Sequence, residues 1–165
     1  MKSLAVAFTG PSDSGKTTLI VKVATLLKKE YALAIIKNDP SDKAVFDVEG
    51  KDSWKFSQTG AEVVITSPTR TTLFSKRQKD LDEIITMLGD FDFLLVEGLK
   101  NLPLPRIAIF RNKLDESYFD CSDAIAVDES VTLSDYAIPS HIALLDLNNP
   151  EQVVAWIEKN AKKVK

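Results

Sequence analysis

Residues 10–17 (GPSDSGKT) constrain the fold of this 165-residue chain more than any other stretch. They match the pattern G-x-x-x-x-G-K-[ST], in which a glycine-rich loop joins a β-strand to a helix. The flanking sequence agrees, because residues 4–8 (LAVAF) are apolar and residues 18–30 carry apolar side chains near the helical period. Such a loop turns backbone N–H groups toward an anion, and the N-terminus of the helix adds partial positive charge. The sequence therefore predicts a phosphate-binding loop (P-loop).

Each polar group of this loop has an expected role toward a nucleotide. Lys16 is predicted to reach the β- and γ-phosphates, and the Thr17 hydroxyl is predicted to bind Mg²⁺. The predicted phosphate contacts are Gly10, Ser12, Asp13, Ser14, Gly15, Lys16, Thr17 and Thr18. A Gly-rich turn that merely caps a helix is the structural alternative.

Glu97 is the predicted second metal ligand and, with Lys16, a predicted catalytic residue. It follows four apolar residues, 93–96, and Gly98 leaves room for the backbone beside it. A P-loop needs a carboxylate at the end of a neighbouring strand to hold Mg²⁺, directly or through water. The usual residue at this place is Asp, so Glu97 reaches the metal differently or is an acidic strand end in solvent.

The tetrad Asn112-Lys113-Leu114-Asp115 spells N-K-x-D just after the strand predicted over residues 106–110. In many P-loop proteins this motif selects guanine, because the Asp carboxylate accepts hydrogen bonds from N1–H and the exocyclic amine. Adenine offers no matching donors. Asn112, Lys113 and Asp115 are therefore predicted nucleotide contacts, and a polar turn is the alternative that stays open.

Apolar runs alternate with helical patterns along the chain, which is typical of an α/β fold. We expect a P-loop NTPase fold, with a mostly parallel sheet and helices on both faces. Residues 62–66 and 71–74 flank a turn and predict a β-hairpin at a sheet edge. Neither a repeat nor a linker divides the sequence, so one GTP-binding domain is expected over residues 1–165.

Residues 37–52 are polar and nearly aperiodic, and loops of this length tend to be functional or mobile. Four of them are candidate contacts to phosphate or to a partner: Asp39, Asp47, Lys51 and Asp52. The alternative for Asp52, or for Ser53, is to cap the short helix predicted over residues 53–59.

Composition excludes several classes of function. A net charge of −3 without a basic cluster argues against nucleic-acid binding. The single cysteine excludes an internal disulfide, and one cysteine with one histidine cannot build a Cys/His metal cluster. The sequence shows no apolar leader and no run of 18 apolar residues, so we expect no export signal, no membrane span and a cytoplasmic location.

Beyond the P-loop, several short motifs resemble one family. Residues 47–53 (DVEGKDS) are followed by Gly60-Ala61, residues 94–100 (LLVEGLK) are similar to L-V-E-G-[FY]-K, and residues 105–107 (PRI) to P-K-I. Together they resemble the molybdopterin-guanine dinucleotide biosynthesis adaptors (MobB), which are P-loop GTPases. The chain departs from that family at residues 38–42, where many members carry histidines, and N-K-x-D is not typical of it.

The resemblance implies a slow GTPase that uses GTP and Mg²⁺ and assists the attachment of GMP to molybdopterin. Its implied partner is a MobA-type guanylyltransferase, and molybdopterin is a further candidate ligand. A homodimer is also implied, for which the hairpin offers an edge. The chain would act mainly as an accessory protein with weak hydrolysis, because the sequence shows no clear arginine finger.

Two other classes stay open. A P-loop small-molecule kinase would transfer the γ-phosphate, but such enzymes usually carry an arginine-rich lid, and Arg70 and Arg77 are the only arginines before Glu97. A metallochaperone-type GTPase is disfavoured by the lack of Cys/His clusters.

Overall fold

The computed structural model describes residues 2–165, which form nine β-strands, four α-helices and two short 3₁₀ helices. The strands are β1 (Leu4–Thr9), β2 (Leu33–Lys37), β3 (Val63–Thr66), β4 (Thr71–Phe74), β5 (Phe93–Glu97), β6 (Arg106–Phe110), β7 (Ala124–Val127), β8 (Ala143–Asp146) and β9 (Lys162–Lys163). The α-helices are α1 (Lys16–Leu27), α2 (Asp52–Ser57), α3 (Leu81–Leu88) and α4 (Pro150–Asn160), and the 3₁₀ helices are Glu116–Cys121 and Leu133–Asp135. Among the residues described, no helix is long and apolar enough to cross a membrane.

The main sheet has seven strands and confirms the predicted α/β architecture. Its order is β2-β5-β1-β6-β7-β8, and all of these neighbours are parallel. Every residue of β6 and β7 is buried, as are all but the first of β1 and all but the last of β5. Strands buried on both faces read as continuous apolar runs, which is why the sequence identified them.

The seventh strand was not predicted. Helix α4 stops at Asn160, and Lys162 and Lys163 then pair antiparallel with Ala5 and Leu4 of β1. On that side of β1, β6 pairs only from Ala7 onward. The first residues of β1 would otherwise leave backbone groups without partners, and β9 provides them.

Helices α1 and α4 cover one face of the main sheet. Leu19 and Val23 of α1 and Ile157 of α4 are at most 1% exposed and pack in one cluster with Phe8 and Ile109. Over the other face of β6 and β7 lies the 3₁₀ helix Glu116–Cys121 instead of an α-helix, and its Phe119 packs with Phe110 and Ile125. The buried side chains of α1 fix the direction in which its N-terminus points.

The chain folds into two compact units. One contains the residues up to Asn38 together with Leu88–Lys165, and the other contains Asp39–Met87. The second unit holds α2, most of α3 and an antiparallel hairpin of β3 and β4, in register from Val63↔Phe74 to Thr66↔Thr71. The hairpin is confirmed, but within the part of the chain that the structure describes its strands pair only with each other, and the edges of the main sheet are β2 and β8. One domain over residues 1–165 stays a prediction.

We predict that Asp92 makes the stability of the fold depend on pH. Its carboxylate accepts hydrogen bonds from the backbone N–H of Ala32, at 3.0 Å, and of Lys2, at 2.9 Å, and these bonds lower the pKa of Asp92 below its ordinary value. A carboxylate with a lowered pKa stabilises the fold above its unfolded pKa, and this contribution is lost as the pH falls through the folded pKa. In urea unfolding from about pH 6 to about pH 2, the parent should therefore lose more stability than Asp92→Asn. Parallel pH profiles would contradict this role.

Candidate nucleotide-binding site

The turn that follows β1 requires glycine at its first position. Gly10 has a φ of 141°, and a Cβ atom there would collide with the carbonyl oxygen of Ile109 on β6. Gly15, with a φ of 92°, precedes α1 directly, and Asp13 also has a positive φ of 59°. These left-handed conformations curl the chain back on itself between strand and helix. The predicted phosphate-binding loop is therefore formed.

The N-terminus of α1 leaves its backbone donors without a side-chain cap. Gly15 is the N-cap residue, and the first turn of the helix contains no acidic residue. The Ser14 hydroxyl is buried and has no hydrogen-bond partner within residues 2–165. Buried donors without partners cost free energy, and an anion in the loop is the kind of group that would satisfy them. The residues present fit a phosphate.

Lys16 lies folded across its own loop. Its Nζ donates to the carbonyl oxygens of Gly10, at 3.0 Å, and Pro11, at 2.5 Å. Burial lowers the pKa of Lys16, the nearby Glu97 carboxylate opposes this effect, and the Lys37 ammonium adds to it. The structure thus places this ammonium at the mouth of the loop, where a phosphate would compete with two carbonyl groups.

Glu97 ends β5 beside the P-loop and is paired with a lysine. Parallel register sets Glu97 next to Phe8 of β1 and next to Lys37 of β2. The Lys37 Nζ lies 3.1 Å from Oε2 and 3.3 Å from Oε1 of Glu97. The Glu97 side chain is 15% exposed and that of Lys37 is 64% exposed. The sequence did not predict this ion pair. A metal ion at Glu97 would bind a carboxylate that is already paired with the Lys37 ammonium.

A cavity of about 450 Å³ brings most of the predicted site together. Its walls are Ser12, Asp13, Gly15, Lys16, Thr17, Thr18, Glu97 and Arg111. Seven of these eight residues were predicted, and Gly10 and Ser14 belong to the same loop. Arg111 was not predicted, because the arginines considered for a lid over the phosphates, Arg70 and Arg77, precede Glu97. Its position directly after β6, the neighbour of β1, was the available signal, since parallel strands end at one edge.

A buried arginine orders the segment that follows Glu97. Arg106 is 1% exposed, and its guanidinium donates to the carbonyl oxygens of Gly98, Leu99 and Leu102 at 2.9 to 3.2 Å. Burial lowers the pKa of Arg106, and the nearby Asp123 carboxylate opposes this shift. Because the carbonyl groups directly after Glu97 are held in this way, the end of β5 is fixed on the side of the cavity.

The N-K-x-D tetrad lies outside the walls of this cavity. The Asp115 carboxylate accepts a hydrogen bond from the backbone N–H of Ser117, at 3.0 Å, and caps the 3₁₀ helix Glu116–Cys121. Hydrogen bonds with Ser117 lower the pKa of Asp115. Leu114 is buried, and Asn112 has a φ of 62°. The guanine contacts of Asn112, Lys113 and Asp115 stay a prediction.

The four candidate residues of the long loop lie in the second unit. The Asp39 carboxylate accepts hydrogen bonds from two backbone N–H groups further along its own loop, and the Asp47 carboxylate accepts one from the Ser53 hydroxyl, at 2.7 Å. Lys51 precedes α2 as its N-cap residue, and the helix begins at Asp52. The cap is therefore neither Asp52 nor Ser53. Contacts of these residues with a ligand or a partner stay predictions.

Residues 5–129 match the model of one protein family, molybdopterin guanine dinucleotide synthesis protein B. The chain belongs to the MobB family. A putative molybdopterin-guanine dinucleotide biosynthesis adapter protein of Methanocaldococcus jannaschii is 33% identical over 77% of this chain, a match that spans only 53% of that relative. The adapter protein of Haemophilus influenzae is 28% identical over 93% of this chain and 86% of its own length.

A solved structure agrees with this membership. The crystal structure of a molybdopterin-guanine biosynthesis protein B is 25% identical to the chain and superposes with a TM-score of 0.72 over 94% of this chain and 99% of the other. The resemblance inferred from the sequence motifs is thus confirmed, as is the P-loop NTPase fold. A P-loop of this kind is a nucleotide-binding structure.

We predict that Gly10→Ala abolishes nucleotide binding, because its Cβ would meet the Ile109 carbonyl group. The matched control is Gly89→Ala, since Gly89 also has a positive φ, of 71°, but has no atom within 4 Å of the added carbon. The control should lose only about 1 kcal/mol of stability, the cost of the strained backbone, and keep its affinity. Calorimetric titration with nucleotide and thermal unfolding measure both effects. Equal affinities in the two variants would contradict the prediction.

Proposed function

We propose that this MobB-family chain binds GTP with Mg²⁺ at its P-loop and acts as an adaptor in the synthesis of molybdopterin guanine dinucleotide. The observation that carries the proposal is the single cavity that Lys16, Thr17 and Glu97 share. The two relatives compared above are named adapter proteins of this pathway, which supports the biological role. The preference for guanine rests on the family resemblance and on the predicted contacts of Asn112, Lys113 and Asp115.

Each residue of the cavity has a distinct part in this proposal. The Lys16 ammonium exchanges its two carbonyl partners for phosphate oxygens, and the first backbone N–H groups of α1 bind the same phosphates. The Thr17 hydroxyl and the Glu97 carboxylate hold Mg²⁺, which neutralises phosphate charge. Lys37 neutralises Glu97 in the absence of the metal, because its ammonium lies 3.1 Å from that carboxylate.

Hydrolysis by the chain alone should be slow. An arginine finger is worth roughly 10³–10⁵ in rate in comparable enzymes. Arg111 does line the cavity, but it follows β6, whereas Glu97 ends β5, and these two strands flank β1 on opposite sides. The arginine is therefore on the side away from the proposed metal, and it is the one arginine among the residues that line the cavity.

The remaining parts of the proposal come from the resemblance. They are a MobA-type guanylyltransferase as the partner, molybdopterin as a further ligand and a homodimer. A cytoplasmic location is also part of the proposal, and it fits a biosynthetic role. The polar segment between β2 and α2 is the region where we would look for contact with the partner, because it is long and polar.

We predict that Lys16→Ala weakens the binding of GTP by about 10- to 150-fold, which corresponds to about 1.5–3 kcal/mol for hydrogen bonds to a charged group. Lys22→Ala is the control, since Lys22 is exposed on the same helix and carries the same charge. Isothermal titration of both variants with GTP–Mg²⁺ measures the difference. If the two variants bind as the parent does, with the fold intact by circular dichroism, the phosphate site lies elsewhere.

The adaptor role predicts slow single-turnover hydrolysis of GTP by the purified chain. It also predicts that a guanylyltransferase is retained by the immobilised chain and that synthesis of molybdopterin guanine dinucleotide rises when the two are combined. The same samples are screened for phosphorylated small molecules. Rapid turnover by the chain alone, or a phosphorylated metabolite, would favour a stand-alone hydrolase or a kinase and overturn the adaptor role.

A further inference from the structure

We infer that Arg111 is a nucleotide-contacting residue, whose guanidinium binds the phosphate nearest to the nucleoside and is oriented by Asp128. The inference rests on the proposed function, because it requires a nucleoside di- or triphosphate in the P-loop. It adds a residue that belongs to none of the sequence motifs described above.

Arg111 lies against the P-loop itself. The Nε and Cζ atoms of its guanidinium lie 3.4 Å from the point that a Cβ atom of Gly15 would occupy. Its side chain is 42% exposed and forms a wall of the cavity that also contains Lys16 and Thr17. A fixed cation beside the first turn of α1 adds to the positive potential that the helix N-terminus already provides.

The guanidinium is oriented by one ion pair, whose carboxylate is itself held by hydrogen bonds. Its Nε lies 3.1 Å from Oδ2 of Asp128, whose side chain is only 12% exposed at the end of β7. The other carboxylate oxygen, Oδ1, accepts hydrogen bonds from the backbone N–H and from the hydroxyl of Ser130. The Ser130 oxygen in turn accepts from the backbone N–H of Asn112, at 2.6 Å. Because Asn112 adjoins Arg111, both the backbone and the side chain at this position are held.

The N–H donors of the Arg111 guanidinium are available to a ligand. Within residues 2–165 it forms the ion pair with Asp128 but donates no hydrogen bond. A guanidinium has five N–H donors in a planar fork, which matches two oxygens of one phosphate. Asp128 therefore orients the group without saturating it.

The order of the strands indicates which phosphate Arg111 meets. At the carboxyl edge of the sheet, Glu97 and Lys37 lie on the β5 and β2 side of the P-loop, and Arg111 and Asp128 lie on the β6 and β7 side. Lys16 and the metal ligands mark the β- and γ-phosphates. A nucleotide oriented with its terminal phosphates near Glu97 extends its nucleoside toward β6, and its first phosphate then passes Arg111.

A second cavity supports this direction. It measures about 380 Å³ and lies at the ends of β7 and β8, where Asp128, Glu129, Asp146 and Asn148 line it together with apolar side chains. This volume falls within the range of small-molecule sites. Asp128 lines this cavity and pairs with Arg111, so the arginine lies between the phosphate cavity and a space suited to a sugar or a base.

The test compares the affinities of Arg111→Met, Arg111→Lys and the parent for GTP–Mg²⁺, GDP–Mg²⁺ and tripolyphosphate by calorimetry. Arg111→Met should weaken the binding of GTP and of GDP by the same factor, about 10- to 150-fold, because both carry the phosphate concerned. The binding of tripolyphosphate should also weaken, and Arg111→Lys should recover part of the lost affinity. Lys22→Met controls for the loss of one positive charge. Thermal unfolding checks that each variant folds.

Several results would overturn the inference. If Arg111→Met loses affinity for GTP alone, Arg111 lies at the γ-phosphate. If its affinity for tripolyphosphate is unchanged, Arg111 lies at the sugar or the base. Unchanged affinity for all three ligands would show that it binds none of them. If Arg111→Met does not fold, Arg111→Lys decides, since a lysine cannot bind two phosphate oxygens as a fork does.

The orienting role of Asp128 is tested by a double-mutant cycle. Asp128→Asn should weaken the binding of GTP and GDP. The double variant, Arg111→Met with Asp128→Asn, should bind these nucleotides no more weakly than Arg111→Met alone. Additive losses would contradict a role that acts through Arg111. Failure of the proposed function gives a different result, because the parent chain would then bind no nucleotide and Lys16→Ala would change nothing.

Discussion

The close approach of Gly10 to the Ile109 carbonyl group is the constraint on which the rest of the site depends. With no side chain at Gly10, β1 can end against β6 and the chain can turn at once into the P-loop. The turn delivers Gly15 to the start of α1, and the packing of α1 against the sheet then fixes the direction of its N-terminus. A single added carbon at residue 10 would act on the sheet, the loop and the helix together.

At the carboxyl edge of the main sheet, charged side chains form two ion pairs on opposite sides of the P-loop. The strand order places Lys37 and Glu97 on one side of the P-loop and Arg111 with Asp128 on the other. In both pairs the carboxylate is much less exposed than its cation. The site therefore has two ends of different chemistry, one suited to a metal ion and terminal phosphates and the other to the nucleoside side of a ligand.

The fixed groups of the site are supported by hydrogen bonds to the backbone. Arg106 holds three carbonyl groups in the segment that follows Glu97, and the turn at Ser130 holds Asp128. Such bonds leave the side chains that face the cavity in defined positions before a ligand arrives, which reduces the cost of ordering them on binding. Lys16 differs, because its ammonium bonds to its own loop and would have to exchange those partners for a phosphate.

The sequence alone determined the parts of this protein that depend on local pattern. The apolar runs identified the strands of the parallel sheet, the P-loop pattern located the glycine-rich loop between β1 and α1, and the short motifs, among them the one around Glu97, identified the MobB family. Local pattern did not reveal which residues distant in sequence meet. Strand order decides three such pairings: Glu97 with Lys37, Arg111 with Gly15, and β9 with β1.

The turn between β3 and β4 predicted the hairpin, but local pattern did not show that these strands form a sheet of their own. Asp115 caps a 3₁₀ helix because a buried Phe119 anchors that helix over the sheet, which a four-residue motif cannot show. Sequence periodicity records which side chains are buried, whereas the packing of the whole sheet decides which ends of the strands become neighbours.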